Sequence, residues 1–357
     1  MTILLVRLRL AGDVVFTTPA IRALAERFPR AHLMYLVETD ALPIVSHNPH
    51  LSEVIALPYA RGWQRVIDDV RTARRLRAAK IDLAIDFHGG PRSAWLTWAS
   101  RARKRVGYDV QGRTWMYTDV VHRPRELLPR HSVESQWDLL AAVDPVFSRR
   151  ADPECDRVEM AVASAARDAV DQRLAAWGAP AGAQVIVIHE RSGTPFRRWP
   201  ESSYAELAAG LAAADAKRWV VFVGGPPDRE AIVRVVAAAR ALAGSAGRRI
   251  VDGEGMPLQE LRALMDRAAL FIGTDSGPLH VASTSDVPIV GLYGPTLPVR
   301  SAPWRPRRLA TVSIDAGVLP CRPCDQRVCA PGDFRCMTTI RAETVRAAAE
   351  RLLEPAR

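Results

Sequence analysis

A chain of 357 residues is longer than one doubly wound domain requires and suits two domains of about 150–180 residues each. Apolar residues at 48% let each half bury a core, and the 25% that are charged leave a hydrated surface. The net charge of +10 favours an anionic partner, but Arg and Lys run through the whole chain with no zinc finger or aromatic-basic strand repeat, which argues against nucleic acid.

Residues 1–10 are apolar apart from Arg7 and Arg9, a run too short for a signal peptide, and no apolar stretch reaches the roughly 18 residues a membrane span needs. A cytoplasmic protein is therefore expected. Residues 2–8 read as a buried strand, and the break at Ala11-Gly12-Asp13 leads to a helix that starts near Thr18 with Pro19 in its first turn. Ile21, Leu24, Ala25 and Phe28 give that helix an apolar face. Residues 31–37 read as the next strand, so the chain opens as a strand, helix, strand unit with a right-handed crossover. Further strands are expected at 54–57, 83–87 and 105–108, with a basic helix over 63–80. Periodicity fades over 119–130 and a helix returns over 134–143; Pro145 and Pro153 among mixed charges mark 144–158 as the start of a hinge. A helix over 161–177 stops at Gly178 and Pro180.

The alternation then begins again, with strands at 184–189, 219–223, 249–252, 270–272 and 288–293 and helices at 203–214, 229–243 and 258–267. The expected organisation is α/β: a first domain over 1–160, a linker helix and hinge over 161–183, a second domain over 184–340, and a last helix over 341–357 packing back on the first domain.

The most informative stretch is 273–282, Gly-Thr-Asp-Ser-Gly-Pro-Leu-His-Val-Ala, where a strand ends, small polar residues turn, and Pro278 stands at the first helical position. Free backbone N–H groups there point at an anion, and the helix dipole favours it by about 0.3–1 kcal/mol. Phosphate is the natural ligand. A second small-residue turn, Gly294-Pro295-Thr296, follows the next strand. Four of the five cysteines form Cys321-x2-Cys324-x4-Cys329-x6-Cys336. Four clustered thiols suit a structural zinc; reduced packed thiols and a disulfide are the other arrangements of the same spacing.

Taken together, Gly-Asp-Val-Val-Phe-Thr-Thr-Pro at 12–19, Arg-Trp-Pro at 198–200, Asp-Ser-Gly-Pro-Leu-His at 275–280 and Gly-Pro-Thr at 294–296 resemble the heptosyltransferases of bacterial lipopolysaccharide core synthesis, glycosyltransferase family 9. The resemblance implies two facing Rossmann-like domains, the GT-B architecture, with acceptor contacts from the first and donor contacts from the second. It implies inverting transfer of heptose from ADP-heptose to an anionic lipid-linked saccharide of the inner core, without a catalytic cofactor, by an enzyme in peripheral contact with the inner membrane. Another nucleotide sugar on the same fold, and a nucleotide-sugar binding protein without catalysis, are the alternatives. No Asp-x-Asp pair lies at a strand end to hold a divalent ion under a diphosphate.

By the same match Asp13 is the general base toward the acceptor hydroxyl; its other reading is a carboxylate satisfying a helix turn. An ordinary carboxylate is a weak base toward an alcohol, so it must be held within about 3 Å of the proton it takes. The leaving diphosphate calls for fixed positive charge, supplied by Arg197, where relatives usually carry lysine, or by Arg198. Ser276 and Gly277 are assigned to the diphosphate, Asp275 to the loop or a sugar hydroxyl, and His280 and Thr296 to phosphate or loop contacts. Asp228 and Glu230 are assigned to ribose, with helix capping as the bland reading. Trp199 reads as packing more than as a base platform. On the acceptor side stand Gly12, His88, Gly89, Arg61 and Arg92.

Overall fold

Runs such as Ile3-Leu4-Leu5-Val6 and Val185-Ile186-Val187-Ile188 do not alternate, because parallel strands are covered on both faces, and they become central strands of two six-stranded sheets. A computed structural model describes residues 1–122, 130–190, 195–324 and 328–354. The chain divides into one unit over Met1–Ala161 and another over Val162–Arg357.

The first unit runs β1 (Thr2–Val6), α1 (Ala11–Val15), α2 (Thr18–Arg27), β2 (His32–Glu38), α3 (Leu42–Val45), β3 (Glu53–Leu57), α4 (Gly62–Ala78), β4 (Leu83–Asp86), α5 (Pro91–Ala99), β5 (Lys104–Tyr108), β6 (Asp119–Val121) and α6 (Ser132–Ala141). The second runs α7 (Ser164–Trp177), β7 (Gln184–His189), α8 (Glu201–Ala214), β8 (Arg218–Val223), α9 (Arg229–Ala243), β9 (Ile250–Asp252), α10 (Leu258–Met265), β10 (Ala268–Thr274), α11 (Gly277–Ala282), β11 (Ile289–Tyr293), α12 (Pro298–Ser301), β12 (Thr311–Asp315), α13 (Arg335–Thr338) and α14 (Ala342–Leu353).

Strand order is β3-β2-β1-β4-β5-β6 in the first sheet and β12-β11-β10-β7-β8-β9 in the second, all pairs parallel. Counted from each sheet's own first strand, both orders are the doubly wound 3-2-1-4-5-6. The order reverses between β1 and β4 in one unit and between β7 and β10 in the other. Helices that leave these neighbours diverge to opposite faces, so a crevice opens at the strand C-termini.

Several expectations change. The strands β6 and β12 were not anticipated: β6 is three residues long, and both are half-buried edge strands with no continuous apolar run. The hinge over 144–158 belongs to the first unit, because Arg22 donates to the Cys155 carbonyl and pairs with Glu159, while Arg27 pairs with Asp144. The helix α7, read as part of the linker, packs on α10 of the second unit, where Arg173 pairs with Glu260. The last helix, expected on the first domain, instead buries Val345, Ala348 and Ala349 in the second core beside α8. Arg218 at the start of β8 clamps Glu350 with two hydrogen bonds of 2.7 and 2.6 Å. That apolar stripe fits a sheet-packing helix and finds its partner in its own unit.

Trp199 completes the same core. It is buried, packs edge-on to Tyr204 with ring centroids 4.7 Å apart, and donates Nε1–H to the Ile340 carbonyl at 2.7 Å. A Trp199→Phe exchange strands that buried carbonyl and is expected to destabilise the second unit by about 1–3 kcal/mol. Urea unfolding followed by circular dichroism measures it; an unchanged midpoint for the second unit would dismiss the bond as a tie for α14.

Candidate functional site

In the first unit the crevice between β1 and β4 carries Asp13, Arg7 and the 87–90 loop. The Ala11-Gly12-Asp13 break folds as the short helix α1, which places Gly12 in the interior and Asp13 in its first turn. Arg7 follows β1, where its guanidinium forms an ion pair with the Asp13 carboxylate and donates to the Phe87 carbonyl at 2.7 Å. One cation thus ties α1 to the loop after β4. Asp13 remains a third exposed, so the pair is open to solvent on one side.

The loop after β4 is held from below by Asp86, whose Oδ1 accepts the backbone N–H of His88 at 2.8 Å and of Gly89 at 3.0 Å, while Oδ2 accepts from Tyr117. Burial pushes the Asp86 carboxyl above its ordinary range, and those bonds act against the rise. Gly89 adopts φ +67°, which a side chain would strain. His88 is held down to a pKa of about 4 by burial first and then by the charges of Arg7 and Arg9, with Asp13 opposing. It is a neutral imidazole at physiological pH, able to donate or accept a hydrogen bond.

Beside it opens a pocket of about 370 Å³ lined by Arg9, Tyr59, Arg61, Arg65, His88 and Arg92 among others. Arg61 is exposed and fixed over Tyr59 by two bonds to its hydroxyl at 2.9 and 3.1 Å. Arg92 differs: it is nearly buried and already pairs with Glu38 at 3.0 Å and Asp69 at 2.6 Å, so it shapes the wall more than it offers a free charge.

In the second unit the crevice between β7 and β10 carries the residues expected at the donor end. The buried Asp275 is its centre. Its carboxylate accepts from Thr296 Oγ1 at 2.5 Å, lies 3.5 Å from His280 Nε2 and lies 3.5 Å from Arg197 Nη1. Burial acts to raise the Asp275 pKa, and the contacts with His280, Thr296 and Arg197 outweigh it, taking the group to about 2. The same Arg197 Nη1 donates to the Asp275 carbonyl at 3.4 Å. Two strand-end turns and the segment after β7 therefore meet on one anion.

Ser276 and Gly277 stand above Asp275, half-buried, where α11 starts. The Ser276 hydroxyl donates to the Thr274 carbonyl at 3.0 Å and lies 3.3 Å from His189 Nδ1, so the ring nitrogen is the donor of that second contact. Burial alone holds His189 near pKa 4. Gly294 has no room for a Cβ, which would overlap Met337 Sδ. Arg198 is half-buried beside Arg197. Asp228 accepts the Gly225 N–H at 3.1 Å and so serves the turn before α9, as the capping alternative described, and Glu230 is exposed in the first turn of that helix.

The sequence-based reading missed Arg7, Asp86 and His189 as site residues. A charge interrupting an apolar strand run was the signal for Arg7. Nothing local marks His189, whose partner Ser276 is distant in the chain; Asp86 has local partners in His88 and Gly89, but its bond to Tyr117 spans 31 residues.

The cysteines line one pocket of about 220 Å³ with Phe196 and Pro295, next to the Gly294-Pro295-Thr296 turn. Burial first, and then the neighbouring Cys321 and Cys329, raise the Cys336 thiol above its ordinary pKa. All five cysteines are free thiols, and among the described residues no three His, Cys, Asp or Glu side chains are grouped to hold a metal ion. Cys336 is packed into the second core, while the other three sit on a half-exposed surface segment. Arg322 fastens that segment by donating to the Thr296 carbonyl at 3.0 Å and pairing with Asp315 at 2.9 Å.

Comparison with known proteins bears on this pair of crevices. The model of glycosyltransferase family 9 (heptosyltransferase) matches residues 70–331, which is most of the chain. The chain belongs to glycosyltransferase family 9. This family 9 chain is 26% identical to lipopolysaccharide heptosyltransferase 3 of Escherichia coli over 353 residues, covering 97% of both. Its fold is that of the solved E. coli ADP-heptose lps heptosyltransferase II, with a TM-score of 0.80 at 22% identity over 99% and 98% of the two chains. It is also that of an E. coli heptosyltransferase solved with ADP-2-deoxy-2-fluoro heptose, with a TM-score of 0.66 at 20% identity over 98% and 99%. No helix among the described residues is long and apolar enough to cross a membrane.

The half-buried His88 and the buried His189 give the family 9 chain a measurable pH signature. His88 and His189 are expected to titrate near 4, against 6.5 for an unperturbed side chain, in histidine-edited NMR spectra assigned with His88→Gln and His189→Gln variants. Between pH 6.5 and 4 the unfolded chain binds these protons and the folded chain does not, so stability rises with pH in that window. Their contribution is complete above about 6.5 and is lost as pH falls toward 4. A midpoint near 6.5 for either ring would contradict its burial.

Proposed function

We propose that this protein transfers heptose from ADP-heptose to the inner-core region of lipopolysaccharide, with inversion at the transferred carbon. The observation that carries the reading is the carboxylate of Asp275 gripped by Thr296, His280 and Arg197 at a strand C-terminus, immediately before Ser276 and Gly277. With its negative charge compensated inside the protein, the surface above it is free to receive another anion. Family 9 membership, and the ADP-heptose analogue bound by a structural relative, supply the donor.

In this reading the backbone at Ser276-Gly277 and the Arg197 and Arg198 guanidiniums receive the diphosphate. The acceptor oxygen attacks the anomeric carbon from the face opposite that diphosphate. As the new C–O bond forms, the old one breaks and its electron pair passes to the diphosphate oxygen, releasing ADP. Asp13 takes the proton of the attacking hydroxyl. Its ion pair with Arg7 aims the carboxylate, and positive charge at the leaving oxygen lowers the barrier where charge develops.

The role of Asp275 becomes that of a positioning group, since its oxygens are occupied within the loop, and His280 and Thr296 act through it. Arg197 is about a third exposed, so it reaches the carboxylate with one side of its fork and solvent with the other. The residue types at the diphosphate supply the positive charge themselves, which makes the transfer independent of a catalytic metal. Ribose falls to Glu230, because Asp228 is engaged at Gly225.

On the first unit, Arg9, Arg61 and His88 around the 370 Å³ pocket suit an anionic saccharide, with Arg92 bracing the wall. The protein works in the cytoplasm, where ADP-heptose and the lipid-linked acceptor meet.

Incubation with ADP-heptose and a truncated core acceptor is expected to release ADP and add the mass of one heptose. Donor binding without either product would favour a binding protein. Turnover with another nucleotide sugar alone would transfer the reading to that donor. An Asp13→Asn variant is expected to lower turnover by at least about 100-fold while holding donor affinity within about threefold. A near-normal rate removes Asp13 from the chemistry.

A further inference from the structure

The carboxylate of Asp86 is a buried charge that no step of the transfer uses. It stands at the end of β4, paired with Val6 of β1, and is fully covered by protein. Replacing a buried ion by apolar side chains is often neutral or stabilising, so stability alone does not explain an anion here. Its bonds do. Oδ1 accepts the backbone N–H of His88 at 2.8 Å and of Gly89 at 3.0 Å, and Oδ2 accepts the Tyr117 hydroxyl at 2.7 Å. Tyr117 is itself buried against Gly107, where an added Cβ would overlap the ring. The carboxylate is therefore fixed from one side and fixes a turn on the other.

The turn matters because of one peptide group. The His88 N–H held by Asp86 and the Phe87 carbonyl belong to the same planar unit and point in opposite directions. That carbonyl accepts from Arg7 Nη1 at 2.7 Å, while Nη2 of the same guanidinium pairs with the Asp13 carboxylate. Among the described residues the buried Nε of Arg7 has no hydrogen-bond partner, so these two contacts hold the guanidinium. Rotation of the 87–88 peptide would take the carbonyl away from Arg7 and leave Asp13 as its tie. The anion on the N–H side also polarises the amide, which makes its oxygen a stronger acceptor.

We propose that Asp86, braced by Tyr117, is a positioning residue for the general base: it sets the 87–88 peptide plane, the plane sets Arg7, and Arg7 sets the Asp13 carboxylate toward the acceptor hydroxyl. The proposal rests on the transferase reading for the role of Asp13; the relay itself needs neither donor nor acceptor. A misplacement on the order of 1 Å at a reacting group can cost about 100-fold in rate, so a relay of short bonds is enough to matter. Because the donor contacts are assigned to the second unit, the relay acts on turnover and not on donor binding.

Two measurements on the full chain test it. Amide hydrogen exchange without ligands is expected to show the His88 N–H protected in the parent and in Asp86→Asn, whose side-chain carbonyl still accepts, and exchanging at least about tenfold faster in Asp86→Ala. With ADP-heptose and a truncated acceptor, Asp86→Ala is expected to lower kcat at least about tenfold with the donor KM within about twofold of the parent, and Asp86→Asn to restore kcat to within about threefold. Tyr117→Phe deletes one hydroxyl and keeps the ring against Gly107, so it supplies a folded variant should Asp86→Ala prove unstable; it is expected to lower kcat alone, by about threefold or more. In an Arg7→Gln background the Asp86→Ala loss is expected to vanish, because the relay is already cut, whereas a general loss of structure would persist there. A parent-like kcat in both Asp86→Ala and Tyr117→Phe, a loss in Asp86→Asn as large as in Asp86→Ala, a loss undiminished by Arg7→Gln, or a His88 amide indifferent to Asp86→Ala overturns the proposal. Absence of transfer in the parent would strike the transferase reading instead, and exchange at His88 would still decide whether Asp86 holds that peptide.

Discussion

The constraint on which the rest depends is the reversal of strand order in each sheet. Where β1 meets β4, and again where β7 meets β10, the connections leave toward opposite faces and nothing covers the strand ends. Most residues given a chemical role lie in the turns or first helical turns that follow these strands or an immediate neighbour; Arg61, after β3, lies farther out. The polar groups collected there are served by backbone that cannot be satisfied within the sheet, so the fold creates the demand that the side chains answer.

The two crevices answer it in related ways. In the first, Arg7 sits between Asp13 and the Phe87 carbonyl and so couples a helix turn to a neighbouring loop. In the second, Asp275 is the hub, and it is cations and hydroxyls that come to it. A buried carboxylate with a single partner would be costly; with three it is a fixed anion and a rigid support. The difference suits the roles assigned to the two units. A carboxylate a third exposed is open to an incoming hydroxyl, whereas a fully compensated one presents a neutral platform on which a diphosphate does not meet a repelling charge.

The cysteine segment carries a structural tie of its own: Arg322, between Cys321 and Cys324, joins the segment to Thr296 and hence to Asp275. Support for the donor-side turn thus comes from residues with no part in phosphate binding. The lead-in to the last helix behaves similarly: the Ile340 carbonyl, two residues before α14, accepts from Trp199, two residues beyond Arg197, and so holds the segment after β7 in place.

Most of the fold was legible in the sequence, because a buried parallel strand must be apolar throughout and the helix between two such strands must show one apolar stripe; β1, β7 and α9 can be read from those patterns alone. The Asp-Ser-Gly-Pro-Leu-His run declared its turn and helix start because Pro and Gly restrict the backbone locally. What only the tertiary structure decided are matters of which distant groups meet. Thr296 on Asp275, Arg7 on Asp13, the buried neutrality of His88 and His189, and the packing of α14 on its own unit depend on sheet order and burial, and neither is written in any short stretch of chain. Edge strands such as β6 and β12 fall between, since with one neighbour and half-covered faces their composition is not forced, and hydrogen bonding to the adjacent strand makes them strands at all.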